Sequence, residues 1–367
     1  MAIKVLHIIG SLRLGGAQVC LKYLVEGGDR EAVRSWVYPL RSRPVEMGIE
    51  GELIELSYRN YDPRKFWAIL RLCREHEIDI IHAHLHKPIL GSLLAKRFCG
   101  VRVVIHEHGS IFRGGIQYGL YRWLLRRWQG WADGVIAVSE AAAKRLVEAG
   151  GIKRGRIRVI RNAVDLAEFR FDSTVRAAVR REWGVAEGDL VVGYVGRLDT
   201  VKGADLLVEA FGLLVGESGR DFLVVAGDGP QRGELGARVR QLGLGERVRF
   251  LGFCARPARE MQGFDIGVVP SRQEALGIAA LEMMRMRVPL VCSGVEGLAE
   301  IVRHEETGLI PQENSAEGIA GCVRRLAGDV ELRGRLSEAG YEFAGRFGVK
   351  EYVRKVEEVY EEILKDS

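Results

Sequence analysis

The chain has 367 residues, too many for one compact core and enough for two domains of ordinary size. Hydrophobic residues make up 47%, a proportion of soluble globular proteins, and 54 Lys+Arg against 49 Asp+Glu leave a net charge of only +5. That balance, without a basic arm or a zinc-finger or RNA-binding signature, excludes a dedicated nucleic-acid binder, whereas the slight basic tilt permits a phosphate-rich or anionic-membrane partner.

Met1–Gly10 holds too short an apolar run for a secretory signal and reads as a buried first strand, Lys4–Ile9, ending at a glycine. Further strands are expected at Ser35–Tyr38, Ile78–His84, Arg102–His106, Gly134–Val138 and Val159–Arg161, with amphipathic helical stretches between them. Asn162–Asp189 is charged and irregular and is taken as the interdomain linker, with domains at 1–170 and 171–348. The second domain repeats the pattern with strands at Leu190–Tyr194, Asp221–Ala226, Val248–Leu251, Ile266–Val269 and Leu290–Cys292. Short apolar strands alternating with helices predict an α/β fold of parallel sheets covered by helices on both faces. The closing stretch Val349–Leu364 places Tyr352, Val353, Val356, Val359, Tyr360, Ile363 and Leu364 on one helical stripe, which must dock on something. No apolar run reaches the roughly 18 residues of a membrane span. Cys20, Cys73, Cys99, Cys254, Cys292 and Cys322 form no C-x-x-C pair and read as buried small hydrophobes in a reducing compartment.

Three turns could carry chemistry. Gly10–Gln18 follows a strand, opens a helix and contains Gly15-Gly16, which would let a phosphate approach the backbone, though it is neither a dinucleotide fingerprint nor a complete Walker loop. Val195–Gly203 repeats the arrangement with two cations, Arg197 and Lys202, beside a helix start. The strongest signal is Pro270–Glu282. Glu274 is expected on the loop and the helix is expected to begin near Gly277, so that the amides of Gly277, Ile278 and Ala279 are free donors for a diphosphate. On one continuous helix Glu274 and Glu282 would lie roughly 12 Å apart. The carboxylates of a glycosidase sit about 5–9.5 Å apart, so the pair better fits a long ligand with hydroxyls at both ends and phosphates between them.

Two further patterns each admit two readings. His82, His84 and His86 alternate and would share one strand face, either as a metal site or as polar lining. Gln117–Trp131 combines Tyr118, Leu120, Tyr121, Trp123, Leu124, Leu125, Trp128 and Trp131 with Arg122, Arg126 and Arg127. It is either an ordinary core helix or a contact with an anionic membrane surface.

Glu274 and Glu282, with Gly196-Arg197 and Lys202-Gly203 upstream, resemble the retaining glycosyltransferase family four of the GT-B fold. The similarity extends over Gly15-Gly16-Ala17-Gln18, His106-Glu107-His108-Gly109, Val138-Ser139-Glu140, Asn162-Ala163-Val164-Asp165, Gly227-Asp228-Gly229-Pro230, Gly297-x-x-Glu300 and Thr307-Gly308-Leu309. Arg287 departs from the family's usual glycine. The resemblance implies two Rossmann-like domains facing across a cleft, with the last helix, 349–367, crossing back to the first domain. It implies a hexosyltransferase that retains anomeric configuration, uses a nucleotide diphosphate sugar (UDP- or GDP-linked) and needs no cofactor or metal. Arg197 and Lys202 would neutralise the leaving diphosphate, and Glu282 would accept from the ribose. Glu274 with the Gly277, Ile278 and Ala279 amides would hold the sugar and phosphates. Gly15 and Gly16 would approach the donor, and His108 would sit beside its sugar. The expected acceptor is a glycan or lipid-linked glycan of cell-surface polysaccharide or lipopolysaccharide synthesis, met in the cytoplasm or at the inner face of the membrane. A sugar-nucleotide epimerase, a phosphorylase and a non-catalytic sugar-nucleotide sensor are the alternatives.

Overall fold

The computed structural model describes residues 2–13, 15–41, 48–54, 62–109, 116–186, 188–215 and 221–365. Leu14 of the first turn and Glu187 of the expected linker lie outside them. The chain divides into two compact units, 1–163 with 349–367, and 164–348. The division falls between Ala163 and Val164, ahead of the expected boundary at residue 170. Asn162–Asp189 is also not irregular throughout, because it contains a helix over Ser173–Glu182 whose N-terminus is capped by Asp172.

The first unit runs β1 (Ile3–Ile9), α1 (Gly16–Gly27), β2 (Val33–Pro39), β3 (Glu52–Leu53), α2 (Arg64–Glu75), β4 (Ile80–His84), α3 (Ile89–Cys99), β5 (Arg102–Glu107), α4 (Ile116–Trp128), β6 (Gly134–Ala137), α5 (Glu140–Glu148) and β7 (Ile157–Val159). Its seven strands form one parallel sheet in the order β3-β2-β1-β4-β5-β6-β7. The central strands are buried on both faces, which is why they read as near-continuous apolar runs. β7 sits two residues earlier than its apolar pattern predicts, and the two-residue β3 gives no periodic signal.

The second unit opens with α6 (Ser173–Glu182) and continues through β8 (Leu190–Val195), α7 (Ala204–Leu214), β9 (Asp221–Ala226), α8 (Arg232–Gln241), β10 (Val248–Gly252), α9 (Pro257–Met261), β11 (Ile266–Val269), α10 (Ile278–Arg285), β12 (Leu290–Cys292), α11 (Ala316–Gly328) and α12 (Val330–Ala344). Its parallel sheet has the order β10-β9-β8-β11-β12. Apolar residues of β8, β9 and β11 pack with those of α7 and α11 in one core.

The last helix, α13 (Val349–Lys365), belongs to the first unit. Tyr352, Val353, Val356, Val359, Tyr360 and Ile363 are buried, as the stripe requires, and Leu364 is half-buried. Val349 packs at Gly27 of α1, and Val359 at Gly134 of β6. Each fully buried apolar side chain contributes roughly 1.5–3 kcal/mol relative to exposure, so the stripe is a substantial anchor.

The departure at Arg287 has a backbone explanation. The residue takes φ +57°, a left-handed conformation that suits glycine and costs another residue roughly 1–2 kcal/mol. Arg287 offsets this with an ion pair to Glu338 and a guanidinium 4.0 Å from the Tyr341 ring centre.

Candidate active site

In an open parallel sheet, ligands bind beyond the carboxyl ends of the strands where strand order reverses. In the second unit that point lies between β8 and β11. The loops leaving these two strands carry Arg197, Lys202, Glu274 and Gly277, so topology brings together residues far apart in sequence. Lys202 Nζ lies 2.5 Å from Glu274 Oε2, and Ser271 Oγ donates to the same oxygen at 3.3 Å. Arg197 Nε donates to Asp199 Oδ2 at 2.7 Å, and Asp199 Oδ1 accepts from the Lys202 amide at 3.2 Å. Tyr194, a buried phenol whose pKa is pushed up mainly by burial, donates to the Arg197 carbonyl at 3.0 Å. Both cations therefore already hold a carboxylate, and an arriving anion must exchange with it.

Arg272 locks the two loops together. Its guanidinium pairs with Asp205 at 2.8 and 2.6 Å and donates to the Thr200 carbonyl at 2.7 Å, while its amide donates to Val201 O at 2.8 Å. The bidentate pair lowers the Asp205 pKa and raises that of Arg272. Gly203, at φ +70°, lies where the loops touch, and a β-carbon there would stand 2.1 Å from Pro270 O.

Gly277 caps α10 at φ +98°. A β-carbon there would fall 2.3 Å from Leu298 Cδ2. The helix begins at Ile278, so the amides of Gly277, Ile278 and Ala279 have no intrahelical acceptor and the positive end of the helix dipole faces the loops. Glu274 is on the loop, as expected. Glu282, one turn into the helix, is buried, and desolvation, with Glu168 adding to it, raises its pKa to about 8.

In the first unit Gly16 opens α1, and Gly15 precedes it in an extended conformation open to any residue. The turn is held by Gln18, whose Nε2 donates to Ser11 O at 2.9 Å. The expected trio of His82, His84 and His86 does not form. β4 ends at His84, Leu85 turns to φ +66°, and His86 packs against Tyr118 and Tyr121. Instead, parallel register pairs His7 with His82 and His84 with His106, and the period-two alternation of strands adds His108. Two overlapping triads result among the described residues, His7/His82/His84 and His84/His106/His108. Burial holds all five imidazoles neutral, with His7 and His108 lowered to about 3 and the other three lowered well below the usual value. The cluster was not legible in sequence, because His7 sits inside an apolar run and its partners lie on two other strands.

α4 is buried along one side, as a core helix would be, and exposed along the other. Tyr118, Tyr121 and Leu125 are buried, whereas Leu120 and Trp123 are more than half exposed and Trp131 after the helix is also exposed. The side chains of Gln117 and Leu124 lie outside the described residues. No described helix is long and apolar enough to cross a membrane. A cavity of about 1150 Å³ lies at the opposite, amino end of the second sheet. Its Arg176 and Arg180 donate to Asp265 and to backbone carbonyls.

The model of the "Glycosyltransferase Family 4" matches residues 14–168, and that of "Glycosyl transferases group 1" matches residues 175–343. A 2-deoxystreptamine glucosyltransferase of Streptomyces kanamyceticus is 31% identical over 80% of this chain and 80% of its own. The chain belongs to the group 1, family 4 glycosyltransferases. An N-acetyl-alpha-D-glucosaminyl L-malate synthase of Bacillus anthracis is 27% identical, covering 84% of this chain and 81% of that protein. The Anabaena protein HepE, solved in complex with UDP and glucose, superposes with a TM-score of 0.86 at 21% identity, covering 98% of this chain and 99% of that one. The fold is GT-B and the protein is a glycosyltransferase enzyme. Several family landmarks prove architectural: Ser139 caps α5, Asp165 accepts from the amides of Ala167 and Glu168, and Thr307 Oγ1 accepts from the Arg303 amide.

Proposed function

We propose that this glycosyltransferase moves a hexose, with retention and without a metal, from a UDP- or GDP-sugar onto a glycan or lipid-linked glycan of cell-surface polysaccharide or lipopolysaccharide synthesis. The observation that carries the reading is the Lys202–Glu274 ion pair at the strand-order reversal, in front of the α10 amides. A diphosphate takes Lys202 and Arg197 from their carboxylates and accepts from the amides of Gly277, Ile278 and Ala279. Glu274, released, accepts from hydroxyls of the transferred sugar. Glu282 ionises to accept from the ribose. In the first unit, Gly15 and Gly16 leave the turn after β1 open to a ligand, and His108 offers a ring nitrogen to a sugar hydroxyl. The UDP in the HepE structure favours uracil as the base.

Cleavage of the glycosidic bond leaves negative charge on the diphosphate, and fixed cations and amides stabilise charge that appears only as the bond breaks. Among the described residues the site carboxylates Glu274 and Asp199 are each engaged by a cation, which supports a protein-borne rather than metal-borne counter-charge. Attack then proceeds on the face of departure, assisted by the leaving phosphate. The protein works in the cytoplasm, with the exposed Leu120, Trp123 and Trp131 and neighbouring arginines resting on the anionic inner leaflet.

Proton NMR of the product formed with and without EDTA tests mechanism and metal together. The expected product keeps the donor's anomeric configuration at an unchanged rate. Inversion, or a loss that Mg²⁺ restores, contradicts the proposal.

A further inference from the structure

The five imidazoles form two separate hydrogen-bonded lines. In the first, Ser35 Oγ lies 3.3 Å from His7 Nε2, His7 Nδ1 lies 3.1 Å from His84 Nε2, and His84 Nδ1 lies 3.2 Å from His108 Nε2. In the second, Tyr360 Oη lies 2.6 Å from His82 Nδ1, and His82 Nε2 lies 3.1 Å from His106 Nδ1. Each line ends on a buried ring nitrogen without a hydrogen-bond partner among the described residues, Nδ1 of His108 and Nε2 of His106.

A neutral imidazole carries one N–H and one bare nitrogen, so the choice at one end of a line dictates every ring along it. A buried N–H without an acceptor is rarer and costlier than a bare lone pair. Ser35 is only half-buried, so its hydroxyl can accept from His7 while its own proton turns to water. The first line can thus run from His108 toward Ser35 without stranding a donor. Either direction of the second line strands one donor, the His106 Nε2–H or the hydroxyl proton of buried Tyr360. The phenol is the stronger acid, so Tyr360 donates, and the second line runs the opposite way and ends on His106 Nε2–H.

We propose that Ser35, His7 and His84 are positioning residues that hold His108 with its proton on Nε2, leaving Nδ1 as a neutral acceptor for a ligand hydroxyl. This rests on the reading of His108 as a residue of the transfer site. His108 Nε2–H donates to His84 Nδ1, His84 Nε2–H to His7 Nδ1, and His7 Nε2–H to Ser35 Oγ. The ring offered to the ligand hydroxyl is then neither a cation nor a donor. Burial supports this by keeping the rings uncharged at neutral pH, and the groups that act electrostatically on His84 and His106 are the other histidines.

Long-range proton–nitrogen correlation on the full chain labelled with ¹⁵N-histidine, at pH 7, distinguishes protonated from bare ring nitrogens. His7, His84 and His108 are expected as single Nε2–H tautomers. Ser35→Ala removes the terminal acceptor and is expected to shift part of the His108 population to Nδ1–H, leaving His82 and His106 unchanged. Ser35→Thr, which keeps a hydroxyl, retains the wild-type pattern. Turnover of Ser35→Ala is expected to fall about 3–10-fold with an unchanged donor KM, as for loss of a modest transition-state contact. An unchanged His108 tautomer, a simultaneous change in His82 and His106, or one equivalent of added Co²⁺ replacing the N–H signals of His84, His106 and His108 would overturn the proposal. A tautomer response together with full activity of His108→Phe would uphold the line and sink only the placement of His108 at the sugar.

Discussion

Glu282 is a carboxylate placed where it is costly to ionise. Its pKa of about 8 lies above the ordinary value of 4.5, so in the folded protein it keeps its proton where the unfolded chain has lost it. Such a group costs nothing below pH 4.5, and its cost grows as pH rises to about 8. Glu282→Gln should therefore be more stable than the wild type at pH 9, by at most on the order of 5 kcal/mol, and equally stable at pH 4. Calorimetric melts at the two pH values measure the difference. If the ionised group accepts from ribose, donor affinity should also tighten between pH 7 and 9 in the wild type and stay flat in Glu282→Gln. The residue type and its position were legible in sequence, but its burial was not, because burial depends on how α10 packs.

At the scale of elements, α10 and its cap decide the site. Gly277→Ala forces a β-carbon into left-handed backbone and against Leu298. The expected cost is about 2–3 kcal/mol, which lowers Tm by roughly 4–12 °C. Donor affinity should fall with it as the free amides shift. Unchanged melting in Gly277→Ala would show that the cap conformation is not required. The buried strands and the start of α10 were readable because parallel strands are continuous apolar runs and a glycine marks the cap. α6 escaped because it buries only Val179 and Arg180, too little for an apolar stripe. The Arg272–Asp205 lock and the Lys202–Glu274 pair escaped because parallel topology, not sequence spacing, joins the loops after β8 and β11.

For the whole molecule, the exposed aromatic edge of α4 bears on where the enzyme works. Full-length protein should sediment with anionic phospholipid vesicles at low salt, and Leu120→Ser with Trp123→Ser should weaken binding at least about 10-fold, since each buried apolar side chain contributes roughly 1.5–3 kcal/mol. Wild-type protein left in the supernatant would contradict the membrane placement without touching the chemistry. Two sheets, and a last helix that must bury one face, follow from patterns visible in the chain, whereas its docking on the first unit was implied only by the family resemblance and the division falls ahead of the expected one. The five-histidine face does not, since it arises only from the register of β1, β4 and β5.

On the proposed reading, the second unit binds a nucleotide diphosphate sugar through Lys202 and its neighbours. Thermal melting of wild type and Lys202→Ala with UDP-, GDP- and ADP-sugars measures this binding. At 100 times its Kd a donor adds about 2.7 kcal/mol, or roughly 5–10 °C for a unit of this size. One class of donor, with uracil or guanine as its base, should raise the wild-type Tm by that amount. The rise should shrink sharply in Lys202→Ala, whose donor affinity is expected to drop about 10–150-fold. No shift with any donor, or the same shift in both proteins, would contradict the assignment.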